Sequence, residues 1–515
     1  MLTSATFANS VPQISSTALF QAKQLREIEI DAKKFLPVGA LMRAAGLAAS
    51  RLATHLLPNT DSRILILAGA GDNGGDALEV AYLLAAEGIE INLLWLGKED
   101  QHSAEARQSL QRAQHSTAIW LSQQQIEDMP LSHWDLIIDG LFGIGLNRAI
   151  AGNIATLIFH LNQQTKIHAV PVLALDIPSG LVSDTGQAFD EQHCILRADH
   201  TISFIGNKIG LHTAMGKDYA GEIHVDYLGI EPSVFPSPHA HLLVEKSFHH
   251  SLSKRQHDSH KGTFGDVLIV GGSAGMAGAP LLAGRAALYC GAGRVHLGYA
   301  GDAPMFDPVH PELMCRMAQD SDFIHAVVVI GPGLGTSAEV KTLLQRAIQE
   351  APTLVLDADA LNLLAMHEDL QALVSLRSQQ KRKTILTPHP LEAARLLKSD
   401  AKIIQTDRCH AAQQIAQTMQ ACVILKGTGS IIAHHDQLWI NSSGNPSLAT
   451  AGTGDVLSGV CGALLAQGLN PEHAACLAVY LHGKAADDIV ADGTGPIGLS
   501  ASEFIPAIRQ ALNRI

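Results

Sequence analysis

The chain has 515 residues, 47% of them hydrophobic, which is enough for large cores and too long for one ordinary domain, so two or three domains are expected. Its net charge of -13, from 36 basic and 49 acidic residues with no Lys/Arg-rich tract, argues against nucleic acid or an anionic membrane as the main partner. The 7 cysteines are scattered with no Cys-x-x-Cys pair, and neither a signal peptide nor a transmembrane span is recognisable, so a reducing, cytoplasmic setting is expected.

Apolar positions from Thr17 to Leu56 fall at helical spacing, and Pro37 and Gly39 divide them into two helices. Arg63 to Ala68 then reads as a strand, Gly69 to Asp76 as a Gly-rich loop, Ala77 to Glu87 as a helix and Ile89 to Leu96 as the next strand. Further strands are expected at Leu136 to Asp139, Val172 to Leu175 and His200 to Ile205. This β-α alternation predicts a parallel sheet, with ligand loops gathered at the carboxyl ends of the strands. Three loops should meet there: one with Asp72, Asn73, Gly74, Gly75 and Asp76, one with Asp139, Gly143, Ile144, Gly145 and Leu146, and one with Asp176 and Ser179. Gly69-x-Gly71-x-x-Gly74 has the spacing that lets backbone approach a pyrophosphate, and the polar side chains inside it need a further reason. Asn73, Asp139, Asp176 and Ser179 either hold a hard cation through oxygen or cap the elements that follow. Lys208, after the last strand, is an ordinary surface lysine unless carboxylates and a ligand phosphate lie beside it.

Residues 231–253 carry Pro232, Pro236 and Pro238 and no period of either kind, so they read as a linker between domains 1–230 and 254–515. A second α/β series follows. Its strands are expected at Asp266 to Val270, Ala326 to Ile330, Thr353 to Leu356, Thr384 to Leu386 and Cys422 to Leu425, with a small-residue helix from Ala279 to Cys290. The loops after them include Gly331 to Gly335 with Gly333, Asp357 to Ala360, Thr387 to Pro390 with His389, and Lys426, Gly427, Thr428, Gly429 and Ser430, a phosphate cradle that is not a Walker sequence. Gly452-Thr453-Gly454-Asp455 then opens an apolar helix, Val456 to Gln467. Amides at such a helix start stabilise an anion, and Asp455 beside them is either a cap or a base that takes a proton from an attacking hydroxyl. The His-rich pieces, His249-His250, His257 with His260, and His434-His435, lack a third ligand at metal spacing and are expected to be solvated.

In this order the motifs resemble one family, the bifunctional NAD(P)H-hydrate repair enzymes, over roughly Thr17 to Arg514. The residues that carry the resemblance are Asp72-Asn73-Gly74-Gly75-Asp76, Asp139 with Gly143-Ile144-Gly145-Leu146, Asp176-Ile177-Pro178-Ser179-Gly180, Lys208, Gly278-Ala279, Gly331-Pro332-Gly333-Leu334-Gly335, Asp357-Ala358-Asp359, Thr387-Pro388-His389-Pro390, Lys426-Gly427 and Gly452-Thr453-Gly454-Asp455. Asp72, Ile144, Leu391 and Ser430 depart from its usual pattern, and Ile144 removes a hydroxyl that would touch phosphate.

The resemblance implies an α/β protein of two three-layer sandwiches: an N-terminal Rossmann-like epimerase and a C-terminal ribokinase-like, ADP-dependent dehydratase. The substrates would be the hydrated cofactors NADHX and NADPHX. Potassium would sit at Asn73, Asp139 and Ser179, and the substrate at Asp72 to Asp76, Gly143 to Leu146 and Asp176, with Asp139 and Lys208 as acid and base. In the second domain Ala279, Gly333, His389 and Asp455 would contact the hydrate, with Asp455 as catalytic base. Lys426 to Ser430 and Gly454 would hold ADP with magnesium. A homo-oligomer, such as a tetramer, is the expected assembly. Two other readings stay open: a ribokinase-like kinase of a small hydroxylated metabolite, and an N-terminal binding module like that of the RNA-scaffolding decapping enhancers.

Overall fold

In the strand Arg63–Ala68, every residue from Ile64 to Ala68 is fully buried. Alternate side chains point to opposite faces of a strand, so an unbroken apolar run means that both faces are covered. Ile64, Ile66 and Ala68 join one core with the helices Ala40–Leu56 and Asp72–Ala86, while Leu65 and Leu67 join another with the helix Asn153–His168. The computed structural model describes residues 14–59, 61–97, 103–249, 251–252 and 254–515. The chain divides into two units, Met1–Ala240 and His241–Ile515.

The first unit is built on a 7-stranded parallel sheet with the order Ile119–Trp120, Glu90–Trp95, Arg63–Ala68, Leu136–Gly140, Val172–Leu175, His200–Phe204, Glu222–Asp226. Chain order runs outward on both sides of Arg63–Ala68, so a switch point opens between that strand and Leu136–Gly140, where open α/β sheets bind ligands. Outside that sheet, Ala18–Phe20 pairs in parallel with Asn207–Lys208.

The expected boundary at Ala77 moves. The helix begins at Asp72, so Gly74 and Gly75 lie in its first two turns rather than in a loop. Packing explains this, because a Cβ on Gly74 would come within 2.0 Å of Gly69 O and one on Gly75 within 2.6 Å of Met42 Cε.

The second unit has its own sheet, in the order Met314–Met317, Arg294–Tyr299, Asp266–Gly271, Val327–Ile330, Thr353–Leu356, Lys383–Leu386, Cys422–Leu425, Ile431–His434, Gln437–Asn441, Ala240–Leu243. It is parallel up to Cys422–Leu425, and Ile431–His434 and Gln437–Asn441 follow as an antiparallel hairpin. Its switch point lies between Asp266–Gly271 and Val327–Ile330. One face is packed by the helices Gly278–Tyr289, Thr453–Ala466, Pro471–Ala491 and Ala501–Leu512 around Val267, Ile269 and Val329.

The expected linker 231–253 is more than a connector. Ala240–Leu243 within it forms a strand parallel to Gln437–Asn441. Its His250 and Ser253 lie outside the described residues.

Candidate functional site

At the first unit's switch point a cleft of about 470 Å³ is lined by Asp72, Asn73 and Asp76, by Gly143 to Leu146, and by Asp176. The three loops expected to meet therefore do meet. Gly143 is the joint, since a Cβ there would lie 3.2 Å from both Asn73 Cβ and Asp176 Oδ2. Ile144 is held through its backbone, its N–H facing Asp176 Oδ2 at 3.4 Å and its carbonyl accepting from Arg26 at 3.0 Å. Its side chain packs onto two small apolar clusters, which accounts for an isoleucine there.

Beneath the cleft, Asp139 is fully buried. It accepts from Ser179 Oγ at 2.6 Å, Ser179 N at 2.8 Å and Leu141 N at 3.1 Å. Burial pushes its carboxyl up to about 6 even against those hydrogen bonds. Asp76, at the cleft wall, is held well above the usual carboxylate range, first by burial and then by Asp176, Asp72 and other carboxylates around it. Asn73 is buried, and neither its amide oxygen nor its nitrogen has a hydrogen-bond partner among the described residues. Gly140, at the end of the Asp139 strand, abuts the Asn73 backbone. An orphaned amide oxygen, a buried carboxylate and a serine form an all-oxygen set that fits a hard cation.

Lys208 is no surface lysine. It is fully buried and donates to Ser203 Oγ at 2.6 Å and to Asp176 Oδ1 at 2.8 Å. Asp176 thus faces the cleft with one oxygen held by a cation from below, on a backbone in the left-handed region at φ 67.

In the second unit, Asp455 is the third residue of the helix Thr453–Ala466, and the cap position belongs to Gly452. The capping alternative is therefore excluded. Burial, then the Asp357 carboxylate, pushes Asp455 up to about 7, while Lys426 pulls it down. Lys426 donates to Asp357 Oδ1 at 2.9 Å, and Thr387 Oγ1 donates to the same oxygen at 2.7 Å. A Cβ on Gly454 would lie 3.3 Å from Lys426 Nζ, so the helix start faces that ammonium directly. Burial opposes the Lys426 charge, but Asp357 and Glu392 outweigh it and raise its pKa.

His389 accepts at Nδ1 from the amides of Leu391 and Glu392, which leaves Nε2 to carry the proton, 3.3 Å from Glu392 Oε1. It caps the helix Pro390–Leu396 and is half exposed. Gly333, at φ 57, lies against Ala279, whose Cβ would be 3.2 Å from a Cβ on the glycine.

Two contributors escaped sequence reading. Glu392, pushed up to about 7 chiefly by burial, closes a capping box with His389 and stands 3.9 Å from Lys426. The His-x-x-Glu spacing was its signal. Buried Arg408 donates to the carbonyls of Thr428 and Leu425 and so fixes Lys426 to Ser430 from below, a role no local pattern marks.

The sequence profile of the family described as YjeF-related protein N-terminus matches residues 38–210, and that described as NAD(P)H-hydrate dehydratase matches residues 267–508. The chain is 36% identical to a bifunctional NAD(P)H-hydrate repair enzyme of Coxiella burnetii, over 96% of this chain and 100% of that protein. It is 37% identical to one of Escherichia coli, over 92% of this chain and 89% of the other. Among solved structures it is similar to the ADP/ATP-dependent NAD(P)H-hydrate dehydratase of Bacillus subtilis, co-crystallised with ATP and Mg2+. That match is 31% identical, with a TM-score of 0.46, over 53% of this chain and 98% of that one. With two families matched in tandem and more than a third of its residues shared over nearly its full length, the chain belongs to the bifunctional NAD(P)H-hydrate repair enzymes.

Proposed function

We propose that the first unit interconverts the R and S epimers of NADHX and NADPHX and that the second dehydrates the S epimer at the expense of ADP, releasing AMP and phosphate. The observation that carries this reading is a pair of sites on separate sheets, each with a carboxylate held up near neutrality chiefly by burial: the fully buried Asp139 at about 6 and the half-buried Asp455 at about 7. Carboxylates poised there serve proton transfer at physiological pH.

In the first unit the glycine-rich helix start at Asp72 to Asp76 and the amides of Gly143 to Leu146 receive the substrate's phosphates, and Asp176 orients its polar end. Asp139 and Lys208 supply the acid and base, with Asp176, ion-paired to Lys208, as the group that touches the cleft. Asn73, Asp139 and Ser179 hold potassium, which offsets the negative charge of Asp139 in its buried site. A potassium-dependent rise in Tm over choline chloride at pH 8, lost at pH 5 where Asp139 is protonated, is expected. A rise of equal size at both pH values would contradict that set.

In the second unit Ala279, Gly333 and His389 bound the hydrated ring, and Lys426 to Ser430 with Gly454 hold the nucleotide. Asp455 takes the proton of the ring hydroxyl as its oxygen attacks the terminal phosphoryl of ADP, and the bond to AMP breaks. Amides at the Thr453–Ala466 helix start stabilise the charge that develops. Phosphate then leaves the ring carbon, pushed by the ring nitrogen lone pair, and loss of a proton from the neighbouring carbon restores the dihydronicotinamide. Magnesium, when bound with the nucleotide, neutralises phosphate charge.

All seven cysteines are free thiols, as a reducing compartment such as the cytoplasm allows. Among the described residues no helix is long and apolar enough to cross a membrane. A homo-oligomer is proposed on the family resemblance alone, and light scattering at the monomer mass would overturn it.

Absorbance of regenerated dihydronicotinamide tests the whole reading. Purified protein given both epimers with ADP should recover all of the cofactor. Recovery of the S fraction alone would remove the epimerase, and no recovery would discard the proposal.

A further inference from the structure

At the edge of the first unit's sheet, away from the cleft, three metal-ligating side chains face one another. His200 opens the strand His200–Phe204, and Glu222 and His224 lie on the edge strand Glu222–Asp226. The register pairs His200 with Glu222 and Ile202 with His224, so the period of two puts all three side chains on one face. Ile202 shares that face and belongs to the core under the helix Ala40–Leu56. His55, in that helix's last turn, is near enough to act electrostatically on His224.

The spacing of the donor atoms favours a shared ion over direct contacts. His200 Nδ1 and Glu222 Oε2 are 3.7 Å apart, His224 Nε2 and Glu222 Oε1 3.9 Å, and the two ring nitrogens 3.5 Å. The first two exceed hydrogen-bond distance and the third lies at its outer limit. Ligands held tetrahedrally at zinc–nitrogen bond lengths stand about 3.3 Å from one another, so movements of a few tenths of an ångström would close all three onto one centre. We infer that His200, Glu222 and His224 form a binding site for a borderline divalent cation of the zinc type, with water at the fourth position, which clips the edge strand to its neighbour.

The donor set is right for such an ion and wrong for magnesium or calcium, which prefer oxygen throughout. The three side chains are 23%, 68% and 32% exposed for His200, Glu222 and His224, which leaves an entry path for the ion.

The test uses tag-free full-length protein stripped with a chelator, then dialysed against zinc chloride without nucleotide and assayed for bound metal. Wild type should take up one zinc more per chain than His200→Gln/His224→Gln. Removing a residue that only hydrogen-bonds a metal ligand already costs about tenfold or more in affinity, and losing a ligand should cost at least that. Cobalt(II) should give the visible bands of a low-coordinate site in wild type only, and zinc should raise the Tm of wild type only. If the double variant does not fold, Glu222→Gln, on the most exposed of the three side chains, decides the matter by the same readouts. Equal zinc uptake by wild type and a folded variant, or no uptake by wild type, would overturn the site.

Discussion

Asp455 owes its poise to neighbours of opposite sign. Burial and Asp357 favour its protonated form, and Lys426 favours the carboxylate, with the balance at about 7. A general base must be ionised, so kcat/KM for the dehydration should rise with pH through about 7 and level off above it. Asp357→Asn removes the charge that holds Asp455 up and takes from Lys426 its nearest carboxylate. Both changes favour the ionised base, so the midpoint should move to lower pH. A pH–rate profile whose midpoint stays or moves up would contradict the assignment. Asp455→Asn should bind nucleotide and fold normally yet lose roughly 100-fold to 10,000-fold in the nucleotide-dependent step. The environment of Lys208 teaches the same lesson: from sequence it passes for a surface lysine, and only the fold reveals a buried ion pair with Asp176 at 2.8 Å.

At the scale of elements, the parallel series was legible because strands covered on both faces must be apolar throughout, as Ile64 to Ala68 and Val327–Ile330 are. Their acidic, glycine-bearing loops were legible for the reason that places them at one edge of the sheet. What escaped is set by partners distant in the chain. Met314–Met317, an edge strand with no fully buried residue, shows no apolar run, and Ala240–Leu243 hides in a proline-broken stretch. The helix start at Asp72 was displaced because Gly74 and Gly75 read as loop, whereas close approach to Gly69 and Met42 demands them inside the helix. The His200, Glu222 and His224 group was invisible because its donors come from two separate strands. Close approach also yields a paired prediction. A Cβ on Gly69 would stand 1.9 Å from the Leu141 carbonyl, whereas one on Gly71, at φ -93, meets nothing within 4 Å. Gly69→Ala should weaken the first unit by about 3 kcal/mol, and Gly71→Ala should change it by less than about 0.5 kcal/mol. Hydrogen exchange of the Arg63–Ala68 amides reads both, and equal effects would refute the steric account.

For the molecule as a whole, the division into two units, each with its own sheet and its own switch point, means that each chemistry should fail alone. Lys208→Met removes the buried cation that holds Asp176, so epimerisation should fall to the spontaneous rate. Dehydration of pure S epimer with ADP should continue at the wild-type rate, which also shows that the variant is folded. Asp455→Asn should do the reverse, equilibrating the epimers while regenerating dihydronicotinamide roughly 100-fold to 10,000-fold more slowly than wild type. The two variants mixed in one tube should then convert pure R epimer completely, because the S epimer made on one chain can diffuse to the other. The decisive measurement is the time course of that mixture against wild type at equal site concentration. A lag that shortens as both variants are raised together marks passage through solution. Failure of the mixture to consume the R epimer, with each variant active in its own half reaction, would mean that the two sites must share one chain.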